Sequence, residues 1–396
     1  MILRGRRTRD FRAGGVTGGV WLPAPARRCG AGVSVGWAVG WKEKQLREEL
    51  TYPVARPEPG VPLEIAPGVF WLRMPIPIKG LDFINLWLLA DGPGWTLVDS
   101  GLDTPELRAI WAGVTDSLFA GGAKPPTRLI GTHFHPDHLG LAGELCRRFD
   151  MPLWMTFGEW SFGRMIWLDA RDAVPDQSVA FYARLGFPEA ALEAYRKRGF
   201  KQYQSAVSPI PESFRRIGEG ERIEIGGRIW QVMVGRGHAP EHACLYCAEL
   251  GLLISGDQVL PRISPHIGVY PTEPEADPLK DYLDSLPRFR DLPAETLVLP
   301  SHGDLFRGLH ERVATLERHH RRRLADLLAV CAEPKKVLEV FSSLYRRPIG
   351  EREMTLATGE ALAHLHYLIG EGAIARELGA DGIYRYRQSA PVAEVA

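Results

Sequence analysis

The chain's 396 residues, 45% of them hydrophobic, suffice for one large domain or two ordinary ones with a substantial core. Its 48 basic and 48 acidic side chains cancel, leaving no global field to draw in nucleic acid or an anionic membrane. Five scattered cysteines build no disulfide framework, which points to a reducing cytosol, and no apolar run approaches the roughly 20 residues of a membrane span.

Residues 1–50 read as foreign to the rest of the chain. Up to Gly40 they are rich in Arg and Gly, with Asp10 the only acid against Arg4, Arg6, Arg7, Arg9 and Arg12. A transit peptide has such a composition. A disordered extension or a misassigned start fits it better, with residues 41–50 as a short charged helix opening the chain proper.

Residues 69–74, 83–90 and 95–100 predict successive strands separated by Pro and Gly turns, and Thr104-Pro105-Glu106 predicts a helix start. Residues 127–132 form a short β-branched apolar run that ends at Thr132-His133-Phe134-His135-Pro136-Asp137-His138. Leu139, Leu141, Leu145, Cys146 and Phe149 then follow at roughly helical spacing, so a helix begins near Asp137 and the motif sits on a strand-to-helix turn. His133 and His135, two apart in extended chain, point to one side. Pro136 stiffens the turn, and Asp137 with His138 swings the other way, so one segment can serve two metals.

Residues 158–216 depart from this pattern. They are helical in tendency and carry Trp160, Phe162, Trp167, Phe181, Tyr182, Phe187, Tyr195, Phe200 and Tyr203, interleaved with arginines. This composition predicts a helical lid that covers the metal edge and forms an apolar pocket with cationic entrances. A helical pair packing its aromatics on the domain is the compatible, plainer reading.

Three further ligand types each follow a strand-like run: His238 after 229–234, Asp257 after 252–254, and His302 after 296–299. Loops at strand ends are where catalytic groups concentrate. Cys244 and Cys247 lie in the run 242–250 and read as core thiols, since no second pair completes a zinc site. His242 reads as a supporting or strand residue. Residues 259–278 place Arg262, His266 and Tyr270 just after Asp257, where a loop is expected to touch substrate, with His266 more at home as a surface histidine than as a chemical participant. Imidazole and carboxylate donors suit zinc, with iron or manganese as alternatives. Two such divalent ions about 3.5–4 Å apart can hold a hydroxide and polarise a substrate oxygen together.

Beyond Leu309, residues 309–331 predict a long helix that Pro334 ends. Residues 335–344 and 356–371 predict two shorter helices, and residues 381–387 a terminal hairpin or strand.

These residues resemble the metallo-β-lactamase fold superfamily, whose signature is His-x-His-x-Asp-His followed by a distant His, Asp and His. The resemblance covers residues 62–309. It implies an α/β fold, a four-layer αβ/βα sandwich with metals along one edge of two facing sheets. It implies a first metal on His133, His135 and His238, a second on Asp137, His138 and His302, and Asp257 bridging them. Asp99 matches the buried strand-end aspartate that supports the metal loops. Zinc β-lactamases usually lack the histidine after the motif aspartate and often place a cysteine on the second metal. His138 and the absence of a ligand cysteine argue against antibiotic hydrolysis. They point to the branch of glyoxalase II, lactonases and phosphodiesterase-like nucleases. The tail looks like the winged-helix tail of a subgroup, giving one domain over 51–309, with its helical insertion, and another over 310–396.

The expected reaction is hydrolysis, with a metal-bridging hydroxide attacking an ester, thioester or lactone of a small-molecule substrate and Asp137 orienting it and shuttling its proton. The runner-up is a phosphodiesterase or endoribonuclease. The large inserted domain of the nucleic-acid-cleaving branch has no room between Asp257 and His302. Basic and acidic residues nearly balance from Glu311 onward, whereas a phosphate-binding module is distinctly basic. The basic run 318–323 is then a solvated helix face, and the tail a structural or homodimerising cap. No nucleic-acid or membrane partner is expected of this cytoplasmic reading.

Overall fold

Seven strands pair side by side in chain order: β1 (Leu63–Ala66), β2 (Val69–Pro75), β3 (Phe83–Asp91), β4 (Gly94–Val98), β5 (Pro126–Ile130), β6 (Leu153–Met155) and β7 (Arg215–Arg216). The first four are antiparallel and the last four parallel. β8 (Arg222–Ile225), β9 (Arg228–Gly235), β10 (His242–Cys247), β11 (Leu252–Gly256) and β12 (Leu297–Pro300) form a second sheet, antiparallel except for β11 with β12. The computed structural model describes residues 50–389 apart from 78–80, 93, 120–124 and 352. The expectations for residues 1–49 lie outside the described residues.

Alternation along the strands sets the layers. In β3, Ile84, Leu86 and Leu88 join one apolar cluster, while Trp87 and Leu89 on the opposite face join another. The cluster between the two sheets unites Trp71, Trp87, Val98 and Ile130 of the first with Trp230, Val232, Leu245, Ile254 and Leu299 of the second. The outer face of the first sheet is covered by helices Pro105–Val114 and Ala142–Phe149. Met233, Cys244, Leu253 and Val298 on the outer face of the second share a core with helices Pro278–Ser285 and Leu309–Val330. Helix, sheet, sheet, helix is the layer order of an α/β sandwich.

The segment after Leu153 is helical, as expected, and holds four helices rather than the pair of the plainer reading: Phe157–Leu168, Asp176–Arg184, Glu189–Lys197 and Gln202–Ala206. It closes in β7 rather than remaining helical to 216. Its aromatics divide between two cores. Tyr182, Phe187 and Tyr195 are buried with the C-terminal helices, whereas Trp160, Trp167 and Tyr203 pack against the cluster of the first sheet. The C-terminal residues comprise helices Leu309–Val330, Phe341–Leu344 and Met354–Gly370, then the antiparallel hairpin of β13 (Ile374–Leu378) and β14 (Tyr384–Gln388). In the basic run, Arg318 pairs with Glu311 and Arg323 with Glu360, and His320 is buried. No helix among the described residues is long and apolar enough to cross a membrane.

Candidate metal centre

β5 ends at Ile130, and the chain then passes through His133 and His135 into the short helix Pro136–Leu139, which carries Asp137 and His138. Pro136 is its first residue, where a missing N–H costs nothing. His238 lies between β9 and β10, Asp257 follows β11 and His302 follows β12. All seven come together at one edge of the sandwich. Donor atoms of His133, His135, His238 and Asp257 lie within 4.8 Å of one another, as do those of Asp137, His138 and His302.

The spacing within each group fits an ion. Donors at 2.0–2.1 Å from a tetrahedral zinc stand about 3.3 Å apart. His133 Nε2 is 2.9 Å from His135 Nδ1 and 3.2 Å from His238 Nε2. In the other group His302 Nε2 is 3.2 Å from Asp137 Oδ2 and His138 Nε2 is 3.8 Å from it. Asp257 reaches both: Oδ2 is 3.4 Å from His238 Nε2, while Oδ1 is 3.6 Å from His138 Nε2 and 3.5 Å from His302 Nε2.

Hydrogen bonds behind the rings fix which nitrogen is a donor to an ion. His238 Nδ1 donates to the His266 carbonyl at 2.8 Å, His302 Nδ1 to the Phe83 carbonyl at 2.9 Å, and His138 Nδ1 to Asp99 Oδ2 at 2.8 Å. Oxygens of this kind only accept, so Nδ1 holds the hydrogen and Nε2 turns a lone pair inward. Thr132 Oγ1 donates to Asp99 and accepts from His133 Nδ1 at 3.1 Å, which sets His133 the same way. His138 Nε2, His302 Nε2 and Asp257 Oδ1 are buried with no hydrogen-bond partner. Converging lone pairs and orphaned buried acceptors are what a cation satisfies.

Electrostatics agree. Burial and the neighbouring imidazoles hold His133 and His135 well below the ordinary histidine value, keeping them neutral. Burial alone would raise Asp137, but His138 and His302 outweigh it and bring its carboxyl down to about 2. Burial alone would lower His138, yet Asp257, Asp137 and Asp99 hold it well above the ordinary value, so that its Nε2 keeps a proton until a cation displaces it. Carboxylates that so favour positive neighbours are suited to metal coordination.

Several supporting residues escape sequence reasoning. Glu159, in the first turn of helix Phe157–Leu168, is fully buried. Its Oε2 accepts the Phe134 N–H at 3.0 Å and its Oε1 the Glu241 N–H at 2.6 Å, tying together the loops that carry His133, His135 and His238. Burial outweighs these donors and pushes its carboxyl up to about 8. The one available signal was an acid amid the aromatics of that segment. Thr132 and the Phe83 carbonyl carried none. Asp99, expected as a support, also accepts the Thr132 N–H at 2.7 Å, and its φ of 62° turns its side chain back toward the loop. His242 is no member of either group. Its Nε2 accepts the Asp257 N–H at 3.0 Å, and its ring lies against Gly256, whose φ is 52° and where a Cβ would collide with that ring.

The residues of 259–278 divide. Arg262 lines a cavity with His302. His266 meets the site through its carbonyl, while its ring lines a separate cavity beside His319, Arg323 and Glu360. Tyr270 has its ring 6.1 Å from that of His266 and belongs to neither metal group. Cys244 and Cys247 are buried free thiols in β10.

A family model described as the metallo-beta-lactamase superfamily matches residues 80–302, and one for the metallo-beta-lactamase-like C-terminal domain matches residues 324–389. A solved beta-lactamase domain protein from Burkholderia ambifaria is 43% identical, with a TM-score of 0.78, covering 86% of this chain and 98% of that one. A metallo-beta-lactamase family protein from Thermus thermophilus is 31% identical, with a TM-score of 0.68, covering 82% and 100%. The acyl-coenzyme A thioesterase MBLAC2 of Gallus gallus is 25% identical over 243 residues, 60% of this chain and 79% of that protein. The chain spans about half the length of the first curated relatives that it matches.

Proposed function

Because the chain belongs to the metallo-beta-lactamase superfamily, we propose that it is a hydrolase of a small carboxylic ester or thioester, lactones included, working with two divalent ions, zinc ahead of iron or manganese. The observation that carries this reading is Asp257, with one carboxylate oxygen toward each of two complete donor groups. Two bound divalent ions would supply a hydroxide at neutral pH and a Lewis acid for the substrate carbonyl.

The chain's own residues do the rest. His133, His135 and His238 would hold one ion, and Asp137, His138 and His302 the other, with the His133, His138, His238 and His302 rings each held by the acceptor behind it. Asp137, a carboxylate when it holds an ion, would be an acceptor that orients the hydrogen of the attacking oxygen. It would then pass that proton to the departing thiolate or alkoxide. The thioester choice is supported by the likeness to the chicken thioesterase and by the balanced charge of the chain.

A substrate panel on the metal-loaded protein tests this: acyl and glutathione thioesters, lactones, bis-p-nitrophenyl phosphate and short RNA. Turnover of a thioester or ester is expected. RNA cleavage without either would overturn the reading.

A further inference from the structure

A cavity of about 250 Å³ has His302 on its wall together with three arginines, Arg56, Arg73 and Arg262, one acid, Asp82, and Phe83. Whole small-molecule sites run to roughly 300–1,000 Å³, so this volume suits one end of a substrate.

Its charge is unusual. Arg73, on β2, is only 8% exposed. Its guanidinium lies over the Phe83 ring, 4.0 Å from the centroid, and donates one hydrogen bond, to the Pro57 carbonyl at 3.1 Å. No carboxylate among the described residues lies within ion-pair distance of it. The nearby Asp304 is already engaged by Arg56 as a two-pronged partner and by Arg262 at 3.5 Å. Three guanidinium groups thus converge on Asp304, while Asp82 on the cavity wall and Glu58 stand outside ion-pair distance of Arg73. A buried cation with no carboxylate in contact is costly, and planar forks of this kind match carboxylate and phosphate oxygens. The pocket is also built rather than incidental. Phe83 supports Arg73 with its ring and His302 with its carbonyl, and Arg312 holds the loop of Arg262 through the Leu260 and Ile263 carbonyls.

We propose that this cavity is an anion subsite, in which Arg73 and Arg262 receive a carboxylate or phosphate carried by the substrate beside the metal centre. The inference rests on the hydrolase reading above and adds to it a requirement for a charged substrate.

Two matched thioester pairs separate the sources of the anion. Succinyl and monomethylsuccinyl N-acetylcysteamine place a carboxylate, or its neutral ester, on the acyl side. Acetyl phosphopantetheine and acetyl pantetheine place a phosphate, or none, on the leaving thiol. The metal-loaded wild type is expected to prefer the charged member of one pair in kcat/KM. That preference should fall about tenfold or more in Arg73→Gln and to a smaller extent in Arg262→Gln, whose side chain is 63% exposed and whose loss does not threaten folding. Equal use of both members of both pairs, or a preference that survives both variants, overturns the proposal. Calorimetric titration of succinate and of inorganic phosphate into the same proteins reads the subsite without turnover. Binding weakened by both variants supports it even if no thioester is hydrolysed, and binding unaffected by either sinks it.

Discussion

Asp99 spends two oxygens on three hydrogens, from Thr132 N, Thr132 Oγ1 and His138 Nδ1. Losing it frees both the loop and the ring of a donor, and groups of this kind are worth about 10–100-fold in metal affinity. Asp99→Ala is therefore expected to release metal to a competing chelator at 10–100-fold lower chelator concentration, by about that estimate. Affinity equal to wild type would remove Asp99 from the support. Glu159 offers a second test. Glu159→Ala strips the acceptor from two loop N–H groups, each worth on the order of 1–3 kcal/mol when left unpaired. Urea unfolding is expected to show a loss of about 2–6 kcal/mol, on that same scale, and His238 is expected to lose its alignment with His133. The seven candidate donors were legible in the sequence because four of them fall within six residues and the other three each follow a strand-like run. Glu159 and Phe83 were not, since they act through a backbone N–H or carbonyl belonging to a residue far along the chain. Arg73 was read only as part of a strand.

At the scale of elements, strands betray themselves where one face is buried and the other differs. The first half of β9 does so, whereas β3 and β12 are buried on both faces and show instead as short continuous apolar runs. β6 is three residues long, and β7 is two exposed arginines, Arg215 and Arg216, whose pairing with Trp154 and Met155 follows from the end of the helical segment rather than from any pattern of their own. The number of helices within that segment was hidden because Pro175 and Pro188, each just ahead of a helix, read equally well as breaks in a longer one. The turn between β9 and β10 makes a sharper demand. Gly237 has φ 91°, and a Cβ there would press into the Pro278 carbonyl and Tyr282. Gly237→Ala adds a left-handed penalty of roughly 1–2 kcal/mol to that collision and displaces the neighbouring His238. A lowered melting temperature together with weakened metal binding is expected. A variant that melts like wild type would show that the turn relaxes.

Across the molecule, the C-terminal helices are joined to the catalytic layers by polar contacts as well as apolar ones. Ser264 Oγ donates to His320 Nε2 at 3.0 Å, His320 Nδ1 to His364 Nε2 at 3.2 Å, and His364 Nδ1 to the Glu360 carbonyl at 2.8 Å. In this arrangement both imidazoles are neutral, each donating from Nδ1 and accepting at Nε2. Burial, against the pull of Glu360, lowers His364 to about 4, compared with about 6.5 in an unfolded chain. Below pH 6.5 the unfolded chain takes up a proton that the folded one refuses. This contribution is thus fully present above about 6.5 and lost as pH falls toward 4, by about 3 kcal/mol in all. His364→Gln is expected to flatten the decline in unfolding free energy between pH 6.5 and 4. An unchanged slope would mean that the chain of bonds can accept a proton. The tail's hairpin and helices were foreseeable from periodicity. Its sharing of one core with Tyr182, Phe187 and Tyr195 was not, because nothing in a helix's own pattern says which distant surface covers it.

The position of the donors across the sandwich has a mechanical consequence. His133, His135, Asp137 and His138 hang from the end of β5 in the first sheet, while His238, Asp257 and His302 hang from the second. Each donor group draws from both, so an ion in either position would rivet one sheet to the other at their shared rim. Opposing force applied through β2 and β11 should then peel the chelated protein open from that rim at low load. With ions bound, rupture should shift to a higher and more abrupt force, since the rivets must shear before the apolar layer between the sheets can part.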